Sequence, residues 1–235
     1  SSAATSSTES TVFVSTESPN TLFAADVVSG VVGAFDAVPG MDVVANHGVA
    51  SSLEAYHNGT NLCVYVGVMG GIYYDIYPGG AGFISRLERP AGGPFGDNSP
   101  YVIHNGWIYL ADGSNLYQGA INTDCSVAFE STALVTGFNN VLSMRVGLSK
   151  LAGGTDSYLF LWARTDPDEF LERSENALST SALTGSFTSF YTVPPTGSNP
   201  YYKDWQIAPD GRVWLAGERT GGASPAIFAS TDNES

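Results

Sequence analysis

Between Ser198 and Trp205, three aromatic rings (Tyr201, Tyr202 and Trp205) stand beside Asn199, Lys203 and Asp204. Aromatic faces stack on the apolar C–H faces of sugars, and carboxylates, amides and guanidinium groups pair with hydroxyls. Arg219, past the next predicted strand, adds a guanidinium to the same loop face. Tyr201, Tyr202, Asp204, Trp205 and Arg219 therefore form the first candidate ligand-binding set. The competing role for the rings is packing between sheets. Two shorter loops repeat the chemistry, Phe95-Gly96-Asp97-Asn98 and Phe138-Asn139-Asn140.

Paired carboxylates define the enzymatic alternative. Hydrolysis of a glycosidic bond needs two carboxyl groups flanking it. Asp204 and Glu54 lie in predicted inner strands and are the first candidates for a glycoside hydrolase or lyase. The positions equivalent to Asp204 hold Ser52, Ser99 and Ser143, so the repeats share no ring of acids. His47, His57 and His104 lack metal-ligand spacing, and His57 and His104 fall at equivalent turns. Asp166-Pro167-Asp168-Glu169 carries calcium-type oxygens without the glycine and spacing of an EF-hand loop. Neither a Gly-x-Ser-x-Gly elbow nor a Gly-x-x-x-x-Gly-Lys loop occurs, so the sequence implies no cofactor and no metal.

These residues sit on a repeating frame. Alternating apolar strands begin near Thr11, Leu62, Trp107, Tyr158 and Arg212, each followed by a second strand. A spacing of roughly 45–55 residues built from strands alone is the signature of a β-propeller. His57-Asn58-Gly59, His104-Asn105-Gly106 and Pro209-Asp210-Gly211 precede three of the hairpins. Asn-Gly and Asp-Gly supply the positive φ angles of two-residue turns. Upstream lie the inner strands at 52–56, 99–103, 143–148 and 204–208; outer strands follow at 30–35, 82–87, 128–134 and 186–192. Trp107, Trp162 and Trp214 fall in second strands and are expected between blades.

The expected fold is all-β, a single five-bladed β-propeller of four-stranded antiparallel blades over residues 11–235. Residues 1–10 form a Ser/Thr-rich tail or a closing strand. The first repeat lacks an inner strand and the last lacks an outer one. A fragment of a longer propeller is the rival.

The chain has 235 residues and a net charge of −14, with Lys150 and Lys203 its two lysines. Such a surface repels phosphate backbones and anionic lipid, which argues against nucleic acid as a partner. No run of 18 apolar residues is present, so no membrane insertion is expected. Cys63 and Cys125 allow one disulfide, the alternative being two separate buried thiols. Asn58-Gly59-Thr60 and Asn233-Glu234-Ser235 are N-glycosylation sequons at Asn58 and Asn233. Acidity, low lysine and the Ser/Thr-rich start point to a secreted, extracellular protein.

The hairpin from Trp107 to Ile121 resembles blades of fungal and bacterial propeller lectins, including fucose-binding ones. Those lectins hold sugar between blades with an arginine, a glutamate and an aromatic per repeat. Here the arginine position holds Leu62 and Trp107, with Arg212 alone matching, and the glutamate position holds Tyr74, Gln118 and Glu172. The resemblance therefore implies the fold and leaves the sugar sites behind. Ser230-Thr231-Asp232-Asn233-Glu234-Ser235 is similar to a truncated Asp-box of sialidase-like propellers, an outer-edge structural turn. Together these readings favour a non-catalytic, carbohydrate-binding recognition module with a glycan or glycoprotein as partner. The alternatives are the glycosidase or lyase and a structural surface or assembly protein that associates as a homo-oligomer.

Overall fold

The computed structural model describes residues 2–4, 9–17, 20–38, 52–78, 82–83, 85–96, 99–136, 138, 140–148, 156–165, 168–178, 183, 185–193, 201–218 and 225–229. Among these residues every regular element is a strand. The strands form five antiparallel sheets that succeed one another along the chain.

The first sheet contains β1 (Ser2–Ala4), β2 (Glu9–Glu17), β3 (Asn20–Val28), β4 (Val31–Val32) and β5 (Asp36–Ala37). Its order is β1-β2-β3-β4, with β5 also on β3. The second is β6 (Ser52–His57), β7 (Leu62–Val68), β8 (Gly71–Tyr77) and β9 (Ser85–Arg86), in that order. The third is β10 (Tyr101–His104), β11 (Trp107–Asp112), β12 (Asn115–Ile121) and β13 (Val127–Phe129), with β14 (Val135–Thr136) also on β12. The fourth is β15 (Asn140–Leu148), β16 (Ser157–Thr165), β17 (Asp168–Ser174) and β18 (Phe187–Val193). The fifth has three strands among the described residues, β19 (Tyr201–Ile207), β20 (Val213–Glu218) and β21 (Pro225–Ala229).

The expected repeat frame is present: the second strand of each sheet starts within two residues of 11, 62, 107, 158 and 212. The inner strand missing from the first repeat is supplied by the polar start, with Ser2 opposite Val12 and Ala4 opposite Ser10. Three of the four expected outer strands are shorter than expected, β4 covering two residues of the predicted 30–35, whereas β18 (Phe187–Val193) has the expected length.

The chain divides into two compact units, Ser1–Leu110 with Tyr117–Thr132, and Ala111–Leu116 with Ala133–Ser235. In the first unit, β7 is buried along its whole length. Side chains alternate across a strand. Leu62, Val64, Val66 and Val68 therefore share one face, where they cluster with Phe13, Leu22 and Ala24 of the first sheet. Cys63 and Tyr65 share the other face, where Tyr65 donates its hydroxyl to the Cys125 carbonyl at 2.8 Å, and Tyr101 of β10 donates to the Tyr65 carbonyl at 2.8 Å. A strand covered on both faces needs an unbroken apolar run, which Leu-Cys-Val-Tyr-Val-Gly-Val supplies. Full burial of each branched side chain contributes about 1.5–3 kcal/mol.

First strands of neighbouring sheets touch: β1 with β6 and β6 with β10 in the first unit, β15 with β19 in the second. Gly147 permits the last approach, because a Cβ there would meet Ile207 Cγ2 at 2.6 Å.

The turns before the second strands divide in two kinds. Asn105 (φ 47°) and Gly106 (φ 81°) make the expected two-residue turn between His104 and Trp107. The other two turns are longer than the expected two residues. The loop between His57 and Leu62 has Gly59 at φ 93°. The loop between Ile207 and Val213 has Gly211 at φ 83°.

Candidate functional site

Strand register assembles a cleft with a polar lining in the first unit. Thr11 and Asp26 are cross-strand partners on β2 and β3. Phe13 and Ala24, the next pair on that face, pack toward the second sheet, so Thr11 and Asp26 look the same way. On the second sheet, His57, Leu62 and Tyr77 stand opposite one another across β6, β7 and β8. Leu62 belongs to the face turned toward the first sheet, which carries His57 and Tyr77 there too. The two rows bound a cleft of about 630 Å³, completed by Ser10, Val28, Thr60, Asn61, Ile76 and Pro78. That volume is the size of a small-ligand pocket.

The polar groups are held in place. Thr11 is buried and donates from Oγ1 to Asp26 Oδ1 at 3.2 Å, while Asp26 itself is exposed. The Gly59 amide donates to His57 Nδ1 at 3.1 Å, so the neutral imidazole carries its hydrogen on Nε2. The Tyr77 ring meets Phe13 edge-on, centroids 5.1 Å apart. Burial raises the Tyr77 hydroxyl pKa, with the charges of Asp26 and Asp36 adding to the shift. Asn61 donates from its side chain to the Thr123 carbonyl at 2.8 Å and from its backbone to Asn58 Oδ1 at 2.8 Å. The walls thus present a carboxylate, an imidazole N–H, hydroxyls and an amide around apolar Leu62, Ile76 and Pro78. A sugar offers that mixture of hydroxyls and C–H faces in complement.

The floor loop is fastened to the third sheet. Cys63 and Cys125 form a disulfide with Cα atoms 5.4 Å apart. Asn58 Nδ2 donates to the carbonyls of Asn122 at 2.9 Å and Thr123 at 3.1 Å. Its Oδ1 accepts from the amides of Thr60 and Asn61 at 3.0 and 2.8 Å. The β12–β13 turn is itself fixed, with Ser126 donating its amide and hydroxyl to Asp124 Oδ1, which lowers the Asp124 pKa. The Asn58 sequon therefore reads differently in the fold: the nitrogen that would carry a glycan holds the tether, and a linkage would take one of its two hydrogens.

The residues singled out in the sequence have other placements. Trp205 is 1% exposed, donates from Nε1 to Ser143 Oγ at 2.5 Å, and has the Arg145 guanidinium 5.8 Å from its ring centroid. Its ring is core, not a stacking platform. Asp204 is exposed and paired with Arg145 at 3.1 Å, just after a bulge in β19. Tyr201 and Tyr202 stand opposite Glu218 and Gly217 on β20. Arg219 and Asn233 lie outside the described residues, as do Asp166 and His47. Glu54 sits on β6 opposite Tyr65 in the first unit, and Asp204 belongs to the second. Trp162 is buried as expected, but Trp214 is 39% exposed because Val213 and Leu215 take the inward positions on β20. His104 is lowered in pKa by burial. Among the described residues no three His, Cys, Asp or Glu side chains gather as a metal site.

Asp26, His57 and Tyr77 did not stand out in the sequence as binding residues. One signal was available: Leu22, Ala24 and Asp26 alternate on one face, so Asp26 is a charge at an inward position. The pairing of Asp26 with a row on another sheet has no local signature.

The folded chain belongs to the class of all-β proteins built from successive antiparallel meanders. No family model matches the chain, and no curated protein matches it in sequence. Among solved structures it is similar to a quinonprotein alcohol dehydrogenase-like protein from Bacteroides thetaiotaomicron, at 12% identity and a TM-score of 0.47. That match covers 100% of this chain, which spans 64% of the other protein's length.

Proposed function

We propose that the five sheets are blades of one β-propeller, and that the chain is a non-catalytic extracellular module that binds a glycan between its first two sheets. The observation that carries the binding reading is the 630 Å³ cleft with Asp26, His57, Asn61 and Tyr77 around an apolar wall. The propeller reading is supported by the side-by-side first strands within each unit and by the meander order of every sheet. The disulfide supports an oxidising, extracellular setting. Among the described residues the cleft wall holds one carboxylate, Asp26, where hydrolysis needs two. The site proposed here replaces the set centred on Trp205, whose ring is enclosed.

A glycan array spanning plant, fungal and animal sugars tests the reading, followed by titration of any hit against Tyr77→Ala and Trp214→Ala. Binding that is lost with Tyr77→Ala and kept with Trp214→Ala supports it. An array with no hit, or a hit indifferent to Tyr77, overturns it.

A further inference from the structure

We infer that the cleft between the first two sheets selects ligands bearing a protonated primary amine, an amino sugar ahead of its hydroxyl or N-acetyl counterpart. The inference rests on the glycan-binding reading above and adds the charge that the ligand carries.

Asp26 is the charged group of the cleft wall, and no Lys or Arg lines it among the described residues. Its Oδ1 is occupied by the Thr11 hydroxyl; among the described residues Oδ2 has no partner within the chain, and the carboxylate is exposed. A carboxylate bonded on one oxygen and open on the other accepts a charge-assisted hydrogen bond without losing its fixed position. Asp36, on β5 beside β3 in the same sheet, also acts on Tyr77, so the first sheet brings two negative charges to bear there. The chain's net charge of −14 has the same sign. An anionic ligand would meet repulsion, and a neutral one can offer the open oxygen a hydroxyl but no opposite charge. An ammonium satisfies it. The His57 Nε2–H and the Tyr77 hydroxyl then remain for ring hydroxyls. The same Thr11 bond sets the direction of the carboxylate, because a buried hydroxyl holds one oxygen and turns the other outward.

The test is an NMR titration of the whole chain at pH 7.5 with 6-amino-6-deoxyglucose, its N-acetyl derivative, glucose and n-butylammonium. The amino sugar is expected to bind roughly tenfold tighter than glucose, the scale of one charge-assisted contact at a partly exposed carboxylate. The preference should shrink on raising salt from 0.05 to about 0.5 M, and Asp26→Asn, which keeps the Thr11 bond, should remove it. Equal affinity for amino sugar and glucose overturns the inference and leaves the glycan reading standing. Binding of n-butylammonium without any sugar preference supports the amine site and overturns the glycan reading. Binding by none of the four overturns the amine inference, and the glycan array decides the glycan reading separately. A preference that survives Asp26→Asn overturns the assignment to Asp26.

Discussion

Breaking the Cys63–Cys125 link should destabilise the first unit strongly. The bond spans 62 residues of sequence. Constraining a loop of that length removes unfolded-state entropy worth about 4 kcal/mol at 25 °C. In a chain of this size that corresponds to a fall in Tm of roughly 8–16 °C. The assay is urea unfolding of Cys63→Ala, Cys125→Ala and the double variant, followed by tryptophan fluorescence and far-UV circular dichroism. Each single variant should lose nearly as much as the double, because either one removes the same link. The urea slope should rise, since the unlinked unfolded chain exposes more surface. A loss below about 1 kcal/mol with an unchanged slope would show that the unfolded ensemble never gained from the link, and the entropic reasoning would fail.

Other outcomes follow from neighbouring features. Cys125 has φ 66°, so in the Cys63→Ala background Cys125→Gly should be about 1 kcal/mol more stable than Cys125→Ala by the same urea assay. Burial pushes the Tyr109 hydroxyl up to about 12 and raises Tyr65 and Tyr101 further. The native state then keeps protons that the unfolded state loses above pH ~10, so stability is full below that pH and declines as pH rises, with a slope approaching about 4 kcal/mol per pH unit for the three groups; urea midpoints with absorbance at 295 nm check it. Asn58→Ala should cost about 1–3 kcal/mol by urea unfolding, and peptide mapping after expression in a glycosylating host should find Asn58 bare. In the second unit, Ser143→Ala strands the Trp205 indole N–H and Gly147→Ala drives a Cβ into Ile207; each should lower stability by about 1–3 kcal/mol, read as a shift in Tm.

Strands were legible where they were buried on both faces or ended in a diagnostic turn. Leu62–Val68 reads as a strand because both its sides are apolar, and His104-Asn105-Gly106-Trp107 because both turn residues tolerate positive φ. The same dipeptide at Asn58-Gly59 misled: there Asn58 heads a longer loop whose length depends on partners at Asn122 and Thr123. The Ser2–Ala4 strand carries no apolar pattern and is defined by its pairing with β2. The sequence leaves Trp205 open between ligand platform and inter-sheet packing, because an aromatic beside Asp204 has the same local chemistry whether it faces solvent or core. The bulge between Tyr202 and Asp204 shifts the alternation that would have told them apart. The cleft was invisible for a simpler reason: Asp26 and Tyr77 are 51 positions apart and meet through two independent registers.

The double-sided burial of β7 also has an order in time. During synthesis its Leu62, Val64, Val66 and Val68 side meets residues already made, in β2 and β3. Its Cys63 and Tyr65 side waits for β10 and the turn at Cys125. The nascent chain therefore carries one finished and one bare flank until some sixty further residues emerge, and oxidation of Cys63 becomes a timestamp for the arrival of the third sheet. Translation paused before Asn122 would leave that thiol accessible to any oxidant or chaperone thiol nearby.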